Sequence, residues 1–289
     1  MLLQILIIII LTIILIGKLS IQESFSNRSN NHIWMYWETK KGSKKADYLN
    51  LCYQTIVKHC SDYQVHLLNE KSVHDYLPNL NMKLLRWCSI PQKADYIRLS
   101  LLYKYGGYWL DSDIIVFKSF KELFLLLDTY DFVGFGCHFS NCHTNTNGFP
   151  KPANWVIGSR KNGLLMSRCL AKANHILTHN PQLLKINYHC LGRELLWSEI
   201  NNLLKNNSSW KYYHFDSKCI ERDSSGNKIY NSRHISKEEI DKKCQNKFIF
   251  IPIYNTAPGF PSWFKNMSSE QILKSDFLFS KLINYSLSK

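Results

Sequence analysis

IPQKADYIRLSLLYKYGGYWLDSDIIVF, residues 90–117, decides how the chain is read. Pro91 suits the first turn of a helix, where its missing N–H would have no partner in any case. A helix begun there runs through ADYIRLSLLYKY and stops at Gly106-Gly107. The glycines release the chain into an extended segment in which Tyr108, Trp109 and Leu110 precede an acidic patch and Ile114, Ile115 and Val116 follow it. The simplest reading is strand, acidic turn, strand, with Asp111-Ser112-Asp113 at the turn.

Upstream, His32-Ile33-Trp34-Met35-Tyr36-Trp37 is a β-prone aromatic run, followed by a helical stretch over 46–59 and a strand over 63–68. Downstream the pattern gives a helix over 120–127, strands over 131–134 and 155–158, and helices near 164–178 and 191–204. A Lys-rich loop over 219–244, a strand over 248–253, an aromatic turn over 254–263 and terminal helices complete the chain. Alternating strands and helices imply an α/β fold with a mostly parallel central sheet. There is no internal repeat and no sign of a second domain boundary.

The chain has 289 residues, 45% hydrophobic and 20% charged. That excludes global disorder and suits one α/β domain with a substantial core. Lys and Arg number 36 against 22 Asp and Glu, a formal charge of +14, which favours anionic partners such as phosphates, acidic glycans, nucleic acid or membrane surfaces. The lysines are scattered, with no basic helix interleaved with aromatics and no zinc-finger spacing, so nucleic acid is disfavoured.

Residues 1–17, MLLQILIIIILTIILIG, carry no charge. This is an export or anchor segment, between a signal-peptide core and a full span of about 20 residues in length. No small-x-small cleavage pattern follows, so an uncleaved anchor is preferred. The expected organisation is a membrane segment over 1–18, a polar linker over 19–31 and a catalytic domain over 32–289, in a single-pass type II membrane protein. Lys18, Arg28, Lys40 and Lys41 favour a cytoplasmic face. Asn-x-Ser sequons at Asn27, Asn206, Asn207, Asn266 and Asn284 favour a Golgi- or ER-like lumen, and the expectation settles on the lumen. Nine cysteines are compatible with disulfides but leave at least one unpaired. Cys137-His138 and Cys142-His143 lack the paired spacing of structural zinc sites, and loop or disulfide roles are preferred.

At a strand-to-turn transition Asp111 and Asp113 can both converge on one divalent ion. A hard cation with open positions then bridges to a diphosphate. Alone, such a triplet is usually a solvated turn. Here the preceding helix adds Asp95 and Arg98, three apart on one face. If that helix packs against the Asp111 strand, Arg98 can meet a diphosphate or sugar with forked donors, and Asp95 can bind hydroxyls or orient Arg98. The bland alternative is a local salt bridge.

Ala94-Asp95-x-x-Arg98, Tyr105-Gly106-Gly107 and Leu110-Asp111-x-Asp113 together resemble the sugar-binding region of retaining glycosyltransferases, including yeast-type initiating α-mannosyltransferases and clostridial glucosylating toxins. They resemble capsular polysaccharide synthesis proteins more closely. Ile33-Trp34-x-Tyr36-Trp37, Asn154-x-x-Ile157-Gly158 and Tyr254-Asn255-Thr256 extend the resemblance over most of residues 33–263. It implies a GT-A type, Rossmann-like fold, a nucleotide-diphosphate sugar donor, Mn²⁺ or Mg²⁺, a glycan, glycoprotein or glycolipid acceptor, and transfer with retention. Carried over, Asp113 is the direct metal ligand and Asp111 touches metal, ribose or sugar, while Asp95 and Arg98 hold the donor. Trp34 and Tyr36 sit where the exit of the first strand could stack the base, although core is the commoner fate of such aromatics. His214, Asn255 and His189 are further candidates. The competing readings are a metal-dependent phosphohydrolase or nucleotidyltransferase, and a membrane-tethered carbohydrate-binding protein without turnover.

Overall fold

The computed structural model describes residues 31–40, 42–136, 151–215, 249–253, 255 and 260–289. β1 (His32–Tyr36), α1 (Asp47–His59), β2 (Gln64–Leu68) and the one-turn α2 (Val73–Tyr76) open the chain. Gln92 Oε1 accepts from the Ser89 N–H at 3.0 Å, one arm of the capping box that starts α3 (Ile90–Tyr105). Gly106 and Gly107 end α3 with φ of 74° and 93°, the left-handed region that side chains resist. A Cβ at Gly107 would lie 2.2 Å from the His32 carbonyl oxygen, so the turn needs both the conformation and the missing side chain.

There follow β3 (Gly107–Leu110), β4 (Ile114–Val116), α4 (Lys121–Thr129), β5 (Phe132–Phe135), β6 (Ala153–Ser159), α5 (Leu164–His179), α6 (Leu183–Ile186), α7 (Arg193–Asn206) and β7 (Tyr212–Phe215). β8 (Phe250–Pro252) and helices α8 (Ser262–Lys265), α9 (Ser269–Lys274) and α10 (Leu278–Ser288) complete the order. The main sheet has the order β2-β1-β3-β6-β5-β7. β1 pairs in parallel with β2 and β3, as β5 does with β7. β6 runs antiparallel to both of its neighbours. The expected α/β fold with a mainly parallel sheet is therefore present, with one reversed strand. Sequence alternation hid the reversal: strands that follow one another with no helix read between them tend to pair antiparallel.

Strand alternation sorts the core. Ile33 and Met35 pack with Tyr108, Phe120 and Phe124 below the sheet. Trp34 and Tyr36 point the other way, into the cluster under α3, α5 and α7 that holds Trp109, Leu101 and Leu196. At Leu110 the chain leaves the main sheet, and after the acidic turn β4 pairs antiparallel with β8, Ile114 opposite Pro252. A separate cluster, with Leu49, Ile115, Ile251, Phe264 and Leu282, ties this ladder to α1 and α10. The acidic turn thus lies where the chain crosses between two sheets, beyond the carboxyl end of β3. Crevices at strand carboxyl ends are where open α/β sheets bind ligands.

The single-pass membrane location expected from sequence is overturned: no helix among the described residues is long and apolar enough to cross a membrane. The longest, α3 and α5, have 16 residues each, about 24 Å at about 1.5 Å per residue, short of the roughly 30 Å of a bilayer core. Residues 1–18, which prompted that expectation, lie outside the described residues, as do the Cys137–His143 cluster and the Lys-rich loop. Cys52, Cys60, Cys88, Cys169 and Cys190 are buried free thiols.

Candidate active site

α3 brings Asp95 and Arg98 onto one face, and its packing against β3 sets that face on the acidic turn. Arg98 Nη1 donates to Asp95 Oδ1 at 2.8 Å and Nη2 donates to Asp111 Oδ1 at 2.9 Å. The guanidinium lies 4.7 Å from the Trp109 ring centroid, a cation–π contact that holds it flat. Trp109 Nε1 donates to the same Asp111 oxygen at 2.8 Å. Asn154, brought in by the reversed β6, donates to Asp95 Oδ1 at 2.8 Å. Gly192, at the start of α7, seals this corner: a Cβ there would lie 2.5 Å from Asp95 Oδ2. Arg98 is only 3% exposed, and among the described residues its Nε has no partner.

Asp111 Oδ1 is thereby doubly held, while the side chain keeps 36% of its surface open to the cleft. Asp113 is held more loosely, accepting one long N–H from Asn255 at 3.5 Å, while its own carbonyl accepts from the Ile253 N–H at 2.9 Å. Burial, and then the charge of Asp111, push the Asp113 carboxyl up to about 6. Burial also lifts Asp95 to about 6, against the pull of Arg98. Asp111 is raised by burial and drawn back by Arg98 and Trp109. Arg98 bonds to Asp95 and Asp111, and the desolvated Asp113 beside them forms a place that favours an added cation.

These groups line a cleft of about 640 Å³, within the usual size of small-molecule sites. The exit of β1 contributes Tyr36, Trp37, Lys40 and Lys44 to the lining, which also includes Asp111, Asp113, Tyr188 and His189. The Tyr36 hydroxyl donates to Glu38 Oε2 at 2.9 Å, and Lys93 Nζ donates to Glu38 Oε1 at 2.8 Å.

Asp95, Arg98, Asp111, Asp113 and Tyr36 all line the cleft, and so do Asn255 and His189. Trp34 does not. It is 0% exposed, stacked on His66 at 4.3 Å, with its Nε1 donating to the Gly106 carbonyl at 3.0 Å. His214 lies on β7, opposite Gly134 of β5, away from the cleft lining. Tyr254 and Thr256 lie outside the described residues. Trp109, Tyr188 and Gly192 were not read from sequence as site residues, since an aromatic in a strand reads as core and a glycine before a helix reads as a cap. Asn154 offered a signal, a polar residue opening an apolar strand.

Three solved glycosyltransferase structures align with the chain, each with a TM-score below 0.5. The PaToxG glycosyltransferase has 15% identity and a TM-score of 0.42, covering 67% of this chain and 81% of that one. The apo glycosyltransferase GlyE of Streptococcus pneumoniae TIGR4 has 14% identity and a TM-score of 0.46, covering 90% and 63%. The galactosyltransferase LgtC with donor and acceptor sugar analogs has 12% identity and a TM-score of 0.42, covering 88% and 95%. No curated protein matches the chain in sequence. The sequence pattern of the capsular polysaccharide synthesis protein family matches residues 13–191, well over half of the chain and all of the α3 to β4 region, and the chain belongs to that family.

Proposed function

We propose that this chain is a GT-A-type glycosyltransferase that moves a sugar from a nucleotide-diphosphate donor to a glycan or glycoconjugate acceptor, with Mn²⁺ or Mg²⁺ and with retention. The observation behind it is the pair Asp111 and Asp113 in one cleft, the second carboxyl lifted to about 6, on a scaffold of Arg98 and Trp109.

The residues present fit a divalent ion of the kind that takes one or two carboxylates and completes its shell with substrate phosphates and water. Asp113 is held, among the described residues, only by backbone N–H groups, its own and that of Asn255, and the bonds from Arg98 and Trp109 to Asp111 both fall on Oδ1. Among the described residues no group of three or more His, Cys, Asp or Glu could hold a metal. When bound, the ion neutralises charge growing on the departing diphosphate. Lys40 and Lys44 on the β1 lip supply positive charge for the phosphates, and Tyr36 supplies a wall for the base. Arg98 fixes the position of Asp111 and the orientation of Asp95, so that neither reorganises during transfer. Retention rests on the resemblance of residues 94–113 to retaining enzymes.

The test is nucleotide release from a panel of UDP- and GDP-sugars, with Mn²⁺ and with EDTA. Release from one donor that EDTA abolishes is expected, falling at least about 10³-fold in Asp113→Asn, the scale for losing a central electrostatic group. Full activity in that variant would remove the reading.

A further inference from the structure

Two parts of the cleft lining differ in charge. The β1 side of the lining carries Lys40, Lys44 and Glu38, whereas the turn after α6 contributes the rings of Tyr188 and His189, with the Lys151–Glu194 ion pair near His189. Burial, and then Arg193, hold the His189 imidazole below its ordinary range, so at neutral pH it is uncharged. A diphosphate is drawn to the lysines, which leaves an uncharged aromatic surface for whatever else must enter.

Tyr188 is 55% exposed and Ile186 is 80% exposed, in a turn framed by buried residues. Leu184 before it, and Cys190 and Leu191 after it, are buried in the core. The exposure does not come from a loose chain. The Asn187 side chain accepts from the His189 N–H at 2.9 Å. The His189 carbonyl accepts from Gly192 and Glu194 at 3.1 and 3.3 Å, and the Asn187 N–H reaches the Leu183 carbonyl at 2.8 Å. The turn is locked and presents its side chains outward. The Tyr188 and His189 rings meet edge to face, 4.9 Å apart, and among the described residues neither the Tyr188 hydroxyl nor the His189 imidazole makes a hydrogen bond. The Tyr188 hydroxyl is near enough to the reaction floor for Asp95 and Asp111 to help raise it.

We propose that this turn is the acceptor subsite, Tyr188 stacking on the apolar face of an uncharged sugar ring and His189 hydrogen-bonding one of its hydroxyls. The inference rests on the glycosyltransferase reading above and adds the class of acceptor, a neutral glycoside. A rigid ring with a free hydroxyl, beside an uncharged imidazole, offers an amphipathic sugar both kinds of contact at small entropic cost.

The test uses the full chain and p-nitrophenyl glycosides of glucose, galactose and mannose, with UDP or GDP and Mn²⁺ present. Saturation-transfer NMR measures their binding, and transfer assays measure acceptor and donor KM. At least one glycoside is expected to bind. Tyr188→Ala should weaken it about tenfold, the factor that about 1.4 kcal/mol of lost contact makes, while Tyr188→Phe stays within about threefold of the parent. His189→Ala should weaken it too. Where transfer occurs, acceptor KM should rise by a larger factor than donor KM. Transfer with an unchanged acceptor KM in Tyr188→Ala would overturn the subsite and leave the enzyme reading standing. Glycoside binding that depends on Tyr188, without transfer from any donor, would overturn the enzyme reading and leave the sugar site. No glycoside bound by the parent protein would overturn the subsite.

Discussion

Asp113 sits high in the carboxylate range because it is desolvated beside the charge of Asp111, and two consequences follow. Ligand binding that needs its charge should weaken as pH falls below about 6, so Mn²⁺-dependent nucleotide affinity measured from pH 8 to 5 should drop below that point and level off above it. The stability effect has the opposite direction. A carboxyl raised in the folded state favours folding most below its unfolded value and loses that contribution as pH rises through about 6. At pH 7.5 without metal, Asp113→Asn should therefore melt higher, by about 1 kcal/mol or roughly 2–4 °C; a lower melting temperature would contradict the assigned strain. Arg98 behaves differently. Asp95 and Asp111 both bond to it, Arg98 and Asp95 being nearly sealed and Asp111 open to the cleft, so Arg98→Ala should cost about 3 kcal/mol in denaturant unfolding, mostly by stranding the buried Asp95 charge. Arg98→Lys should keep more stability than activity, because an ammonium cannot span two carboxylates with one planar fork.

The elements differ in how openly the sequence declared them. The α3 to β4 run was legible because each boundary has a local cause: the Ser89 and Gln92 box, Pro91 in the first turn, and two glycines at positive φ. Asp95, Arg98, Asp111 and Asp113 were legible with it, since they share that run. The rest of the site comes from distant strands and turns whose register no local pattern encodes. Asn154 reaches Asp95 because β6 is reversed, and the β4 and β8 ladder that positions Asn255 pairs segments more than a hundred residues apart. Gly192 belongs to the same class, its use defined by what α7 abuts and not by its own backbone. Gly192→Ala should therefore act on the site more than on the fold. Its methyl must displace the Asp95 carboxylate or the Asn154 amide, 2.5 and 2.7 Å away. Activity should fall by about 10²-fold, the scale of a 1 Å misplacement, with unfolding free energy reduced by about 1–3 kcal/mol. Equal activity would show that the corner has slack.

At the scale of the whole molecule, the two sheets are held by different cores, and the acidic turn depends on both. Leu282 of α10 is fully buried in the cluster that supports β4 and β8, far along the chain from Asp113. Leu282→Ala should lower unfolding free energy by about 2–5 kcal/mol and also weaken nucleotide binding, because the ladder that anchors Asp113 rests on that cluster; loss of stability with intact affinity would separate the two. The pairing of β4 with β8 also sets a schedule. Asn255 lies 142 residues beyond Asp113, about 7–28 seconds of synthesis at about 5–20 residues per second. For that interval a growing chain carries its acidic turn without the strand that fixes it, so assembly of the cleft on the ribosome waits for the carboxyl-terminal segment to arrive.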